Sequence, residues 1–374
     1  MKGLVCSTTL CEQYRPIIGV FLTGTNAVDI FAASVEAIKA YDFFVYVPSI
    51  DDRSRSTFRR LGVRFSTELS FAILNAPQMA AALTFGCLPH PAHESVLILT
   101  ALMQELGIPV LDVQHGLFQW GINFTDDSLE QGFSNATGIS MPVTTVADKQ
   151  LRWHGENEIG YPRYKPNRPP AKNEMMSSIL VATNSNWHIY AEEERQNLLC
   201  LLRQLFTART HVNFIWKPHP AELSGFSMLR QLVDEIKAAP ETYSNVEIVG
   251  EADNNLYSLT ELVASCRAGI ATVGTSILDF EMLGKPCAIF DCSAVAALNA
   301  SLIHGDMFHD LPQLLNWLDN LDENTKPPVT GYLHPFDQDC LIRHIDTAIA
   351  ESLPRRIPRQ QTLPILMRYK KMAC

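Results

Sequence analysis

Short apolar runs alternate along this chain with stretches of helical period. Ile17–Leu22 (IIGVFL), Phe43–Val47 (FFVYV), Ala81–Phe85 (AALTF) and Pro109–Val113 (PVLDV) are apolar throughout or nearly so, with no polar face of their own. Runs of this length bounded by turn residues read as strands covered on both faces, the pattern of a parallel sheet between helices. Ala27–Tyr41 and Ala92–Leu106 have the intervening helical period, and Val143–Ala147 followed by Lys149–His154 reads as one more strand and helix. Residues 160–174 (GYPRYKPNRPPAKNE) then carry four prolines and little apolar content, the composition of a linker.

Beyond the linker the alternation restarts. Ser178–Ala182, Val212–Trp216, Val246–Val249, Ala268–Thr272 and Pro286–Phe290 read as strands. Glu192–Ala208 is an amphipathic helix with Leu198, Leu201, Leu202, Leu205 and Phe206 on one side. The expected architecture is α/β: two doubly wound parallel-sheet (Rossmann-like) domains, residues 1–165 and 175–330, facing a cleft. Residues 331–374 form a helical tail that packs back on the first domain. The chain's 374 residues suit two units of about 150–200 each.

In open parallel sheets ligands bind beyond the carboxyl ends of the strands, so the loops that directly follow strands carry the chemistry. Gly274-Thr275-Ser276 follows the strand Ala268–Thr272 and opens a helix. Unpaired amides and the positive end of a helix dipole there suit a phosphate or diphosphate. Glu281, about a turn and a half further on, is placed to accept from ribose hydroxyls. The plainer reading of the same residues is a helix cap made by Ser276 and Asp279, with Glu281 solvated.

The loop Trp216-Lys217-Pro218-His219-Pro220 is stiffened by two prolines and offers an ammonium and an imidazole. Lys217 and His219 are therefore expected on phosphate oxygens, with His219 also a candidate to assist the departing phosphate. In the first half, Gln114, His115 and Gly116 follow a strand: Gly116 permits a tight turn, and His115 is the candidate base or acceptor contact, or else a histidine that holds the turn. Gly24, in the turn Thr23–Asn26, is a candidate cleft residue or a plain strand-to-helix connection. Phe118, Trp120, Phe124, Asp126 and Asp127 follow as a flanking loop, with Asp126 a second candidate base.

Charge and composition narrow the partners. A net charge of −10 argues against nucleic acid. The tail, however, interleaves Arg355, Arg356, Arg359, Arg368, Lys370 and Lys371 with Leu363, Ile365, Leu366, Met367 and Tyr369. It reads either as a peripheral contact for an anionic inner membrane or as a helix with a solvated basic face. The nine cysteines have no C-x-x-C pair, no signal peptide is evident and no run reaches membrane-spanning length, so a cytoplasmic protein is expected. No metal-ligand cluster, cofactor motif or hydrolase elbow is evident. Asp337-Gln338-Asp339 spells a metal-binding D-x-D but does not follow a buried strand.

The QHG turn, the KPHP loop and the segment Thr275–Asp291 (TSILDFEMLGKPCAIFD) together resemble the bacterial surface-polysaccharide transferases of GT-B architecture. Within these, the HP motif and the later Ser/Thr motif are similar to capsule and lipopolysaccharide Kdo transferases, sialyltransferases and CDP-glycerol glycerophosphotransferases. The resemblance implies a glycosyltransferase with a nucleotide-sugar donor, a CMP-linked sugar being favoured, and a glycan or glycolipid acceptor. It also implies no metal or cofactor. His219, Thr275 and Ser276 would hold the donor phosphates, Glu281 the ribose, and His115 and Gly116 the acceptor side. No acidic Asp-Asp-Gly or Glu-Asp-Gly base motif is present. Two other readings share this fold: a nucleotide-sugar 2-epimerase and a catalytically silent nucleotide- or glycan-binding relative.

Overall fold

The computed structural model describes residues 15–87, 93–117, 145–164, 177–184, 190–223, 228–250, 257–293 and 303–372. The first sheet contains β1 (Ile17–Leu22), β2 (Asp42–Tyr46), β3 (Arg64–Ser66), β4 (Met79–Phe85), β5 (Val110–Val113) and β6 (Lys149–Leu151), in spatial order β3-β2-β1-β4-β5-β6. The second contains β7 (Ile179–Ala182), β8 (Phe214–Lys217), β9 (Val246–Ile248), β10 (Ala268–Thr272), β11 (Cys287–Phe290) and β12 (Met307–Phe308), in order β12-β11-β10-β7-β8-β9. All the strand pairs are parallel. Counted from its own first strand, the second sheet repeats the order of the first. Both are doubly wound, each with its switch point between its first and fourth strands: β1/β4 and β7/β10.

The apolar runs have no polar face because neither sheet has a wet one. Along β1, Ile18, Val20 and Leu22 pack into one apolar cluster and Phe21 into the cluster on the opposite face. In the second sheet Leu180 and Ala271 lie in the cluster that also holds one face of the first sheet, whereas Ile179, Val181 and Ile270 lie in another. Leu117, Trp153, Tyr161, Ile277 and Leu278 belong to that shared cluster, so one core runs from sheet to sheet.

The tail covers the first sheet from both sides. Leu341 and Ile345 of the helix Gln338–Ser352 join the shared cluster, and Tyr41 Oη donates to Asp346 Oδ1 at 2.6 Å. Leu366 and Tyr369 of the helix Arg359–Met372 join Leu99, Leu102 and Met103 on the opposite face. Arg368 pairs with Glu105, and the Arg356 guanidinium donates to the Ala80 carbonyl.

Several local expectations change. Lys149–Leu151 is an edge strand rather than the start of a helix: it pairs with Leu111–Val113, and Gln114 N donates to Leu151 O at 2.9 Å. The buried side chains Leu151 and Trp153 alternate with half-buried Arg152, which is strand period. The helix expected over Ala27–Tyr41 spans only Val28–Val35, after a 3-10 turn at Thr25–Ala27. The Pro-rich segment is more than a linker, since Tyr161 and Arg163 are built into the core; residues 165–174 of it lie outside the described residues.

Candidate functional site

The two switch points meet through their loops. In the second half, Asn184 N, just after β7, donates to Thr272 Oγ1 at the end of β10 at 2.6 Å. Gly274 then passes so close to Asn184 that an added Cβ would lie 3.3 Å from Asn184 Nδ2. The helix Ser276–Leu283 starts immediately afterwards, which aims its amino end at the carboxyl edge of the sheet. Thr275 occupies the cap position, but its hydroxyl does not cap its own helix; it accepts from the backbone N–H of Leu117, in the first half, at 3.0 Å. Gly116 stands beside the same hydroxyl, 3.6 Å from where a Cβ would be.

The expected cap by Asp279 is not made. Asp279 is fully buried and accepts from Arg163 Nη1 at 3.0 Å, Thr260 Oγ1 at 2.6 Å and Tyr161 Oη at 3.4 Å. The carboxylate faces the core side of the helix, where only an arginine and hydroxyls can stabilise it. Glu281 also differs from its expected setting. Its Oε2 accepts from the hydroxyl and N–H of Thr330 at 2.7 and 3.2 Å, which fastens the helix to the segment leading into the tail.

The loop after β8 is shaped by Glu222, a residue outside the strand-end motifs. Buried Glu222 turns back under it, and its Oε2 accepts from His219 N at 2.8 Å and from Thr183 Oγ1 at 2.7 Å. Thr183 Oγ1 in turn accepts from Trp216 Nε1 at 3.1 Å. Thr183 and Asn184 thus form a spine that links the His219 loop to the Gly274 turn. A carboxylate three residues after a loop histidine was the only local signal for Glu222.

Electrostatics distinguish the two basic groups of this loop. Burial, with Arg53 and Arg163 nearby, lowers the Lys217 ammonium to about 8, and Asp29 partly offsets this. Burial and Lys217 lower His219 to about 4, so its imidazole is neutral near pH 7. Arg53, on the helix after β2, donates from Nη2 to both carboxylate oxygens of Asp29, on the helix after β1, each at 2.8 Å. Lys217, Arg53 and Arg163 therefore gather around Asp29, with Asp279 paired to Arg163.

On the first-half side the imidazole of His115 lies against Gly86. Gly86 has φ +90°, and any side chain there would collide with the ring. Asp112, fully buried, braces this corner: its Oδ1 accepts from Thr84 Oγ1 at 2.9 Å, Gly86 N at 2.8 Å and Cys87 N at 3.2 Å. Gln114 is a strut rather than a cleft contact. Its Nε2 donates to Gly116 O at 2.9 Å and its Oε1 accepts from Trp153 N at 2.8 Å. Gly24 precedes the 3-10 turn in extended conformation. Phe118, Trp120, Phe124, Asp126 and Asp127 lie outside the described residues. Asp337, of the D-x-D sequence, caps the helix Gln338–Ser352 by accepting from Cys340 N at 2.8 Å.

No protein-family model matches the chain, and no curated protein matches it. Solved structures do. A Listeria monocytogenes protein provisionally described as a UDP-N-acetylglucosamine 2-epimerase superposes with a TM-score of 0.51 at 10% identity, over 91% of this chain and 97% of that one. The UDP-GlcNAc 2-epimerase of Methanocaldococcus jannaschii gives 0.47 at 10% identity, over 88% and 99%. The wall teichoic acid polymerase TagF gives 0.40 at 11% identity, over 96% and 89%. At 10% identity the Listeria likeness speaks to architecture alone, and the sheet orders agree with it: two doubly wound parallel sheets that face each other, the GT-B fold.

Proposed function

We propose that the cleft binds a nucleotide-activated sugar and that the protein transfers the sugar to a surface-glycan acceptor. The observation that carries this reading is the convergence of Lys217, His219 and the helix start Gly274–Ser276 on one sheet edge, opposite the His115 turn. An amino helix end, an ammonium and a neutral imidazole form a donor-rich surface of the kind that holds a phosphodiester or diphosphate. Lys217 neutralises the phosphate charge. His219 donates a hydrogen bond, because a group lowered to about 4 is not an acid at pH 7. Catalysis in this reading is positioning and electrostatic stabilisation of the leaving nucleotide. The acceptor oxygen bonds to the anomeric carbon, the leaving phosphate keeps the electrons of the broken bond, and His115 takes the acceptor proton.

The finer terms rest on the motif resemblance. The donor is CMP-linked, such as CMP-Kdo or CMP-sialic acid, and the acceptor is a capsule or lipopolysaccharide chain. Glu281 keeps its role toward the ribose only if Thr330 shares it. The tail adds a peripheral contact with an anionic inner membrane: Leu353, Leu363, Met367 and Met372 are exposed beside Lys370 and Lys371. Among the described residues no helix is long and apolar enough to cross a membrane.

Transfer is favoured over 2-epimerisation because the described carboxylates around the cleft are already engaged. Asp29 and Asp279 are paired with arginines, and Asp112 and Glu281 accept hydrogen bonds. A thermal-shift panel of CMP, CDP, UDP, UDP-sugars, GDP and ADP tests the reading. A selective rise with CMP or CDP that is lost in His219→Ala supports the cytidine donor. A selective rise with UDP-sugars, with turnover of donor alone, replaces it by epimerisation. No rise with any nucleotide rejects the donor site.

A further inference from the structure

Outside the cleft, one set of side chains has the composition and spacing of a metal centre. The turn after β6 carries His154 and Glu158, and His334 lies in the segment that leads into the helix Gln338–Ser352. One ligand atom from each of the three lies within 4.8 Å of the other two. His334 Nδ1 is 3.0 Å from Glu158 Oε1, and His154 Nδ1 is 3.7 Å from Glu158 Oε2. Ligand atoms about 2.1 Å from a tetrahedral ion stand roughly 3.4 Å apart. The two histidine nitrogens approach different oxygens of Glu158, at separations on either side of that value. The two imidazoles lie alongside each other with centroids 4.6 Å apart.

The backbone holds these groups together. Gly155, at φ +86°, and Asn157, at φ +54°, reverse the chain so that Ile159 N bonds back to Arg152 O at 2.8 Å. The Gly155 amide donates to Glu158 Oε2 at 3.0 Å and so orients the carboxylate. His334 is fastened to the same turn, because Tyr161 N donates to His334 O at 2.8 Å and Asp337 N to Ile159 O at 2.9 Å.

The second nitrogen of His334 also has a partner suited to a metal site. His334 Nε2 is 3.3 Å from the carbonyl of Gly331, an oxygen that can only accept. The tautomer with its proton on Nε2 donates to that carbonyl and offers Nδ1 to an ion, and Gly331 is then the outer partner that metal-bound histidines usually have.

We propose that His154, Glu158 and His334 bind a divalent transition metal, with Zn2+ the best match, and that the ion clamps the tail segment to the turn after β6. Two imidazoles and one carboxylate suit Zn2+ with water as fourth ligand, whereas Mg2+ and Ca2+ prefer oxygen throughout. The site uses none of the cleft residues. Sequence spacing hides it because the third ligand comes from a distant part of the chain.

The test is calorimetric titration of the EDTA-treated full chain with ZnCl2. His154→Ala and His334→Ala should each lose one equivalent of bound zinc while keeping the far-ultraviolet spectrum, and His211→Ala, at an exposed position elsewhere, should keep it. Equal stoichiometry in all four proteins overturns the proposal. If either variant misfolds, a zinc-soaked crystal of the unaltered protein decides. An anomalous peak at the zinc edge between the three side chains supports the site, and its absence there rejects it.

Discussion

The backbone N–H of Leu117 donates to the hydroxyl of Thr275 at 3.0 Å, so the turn that ends one sheet is tied to the turn that ends the other. A helix-capping position is normally spent on the helix it opens. Here the hydroxyl is spent on the opposite half instead, which sets the His115 turn directly against the proposed phosphate site.

Thr275→Val keeps the shape of the side chain and removes the acceptor. Leu117 is fully buried, so its N–H would lose its partner at a cost of about 1–3 kcal/mol. Urea denaturation should show that loss, with Thr275→Ser close to the original protein. A Val variant as stable as the original would mean that water replaces the bond.

Asp279 and Arg163 make the second tie, and Asp279 is fully buried. Removing one charge of such a pair strands the other, at about 3–5 kcal/mol. Asp279→Ala should therefore lose that much stability, and the double variant Asp279→Leu with Arg163→Met should recover most of it. A double variant no more stable than Asp279→Ala would show that Tyr161 and Thr260, rather than the arginine, set the cost.

Lys217, lowered to about 8, gives nucleotide binding a pH dependence. The ammonium is charged below that value and loses its proton above it, so affinity should fall as pH rises through 8. Lys217→Gln should bind roughly 10–100-fold more weakly, as expected for a lost charged hydrogen bond of about 1.5–3 kcal/mol, and should show no such inflection. Fluorescence titration between pH 6.5 and 9.5 checks both.

His219 affects stability on the acid side. Folded, it stays neutral down to about 4; unfolded, it takes up a proton below its ordinary 6.5. Between these values the unfolded chain binds the extra proton, so the folded state is fully favoured above pH 6.5 and loses that advantage as pH falls toward 4. The Tm of the original protein should drop more steeply over that range than that of His219→Asn. Parallel curves would place the acid sensitivity elsewhere.

Much of the architecture was legible in the chain. Continuous apolar runs such as Ile17–Leu22 and Ala268–Thr272 belong to strands covered on both faces, and strand-end loops with Gly, Lys and His are where ligands meet such sheets. Those signals are local: each depends on a few neighbouring residues and a fixed period. The edge strand Lys149–Leu151 is hard to read from the chain because its alternation covers only Leu151, Arg152 and Trp153, too short a run to separate strand from helix, and its conformation comes from pairing with β5.

What the sequence by itself determined is the α/β alternation and the Gly274–Ser276, Lys217 and His219 positions at strand ends. Only the tertiary structure decided which partner each side chain has. Asp279 reads locally as a cap and becomes the buried partner of Arg163; Gln114 reads as a cleft residue and becomes a strut to Trp153; Glu281 turns to Thr330. His154, Glu158 and His334 become neighbours only when the tail returns to the first sheet. The physical reason is range. Periodicity and capping act over a few residues, whereas the partner of a buried polar group is set by which distant segment excludes water from it.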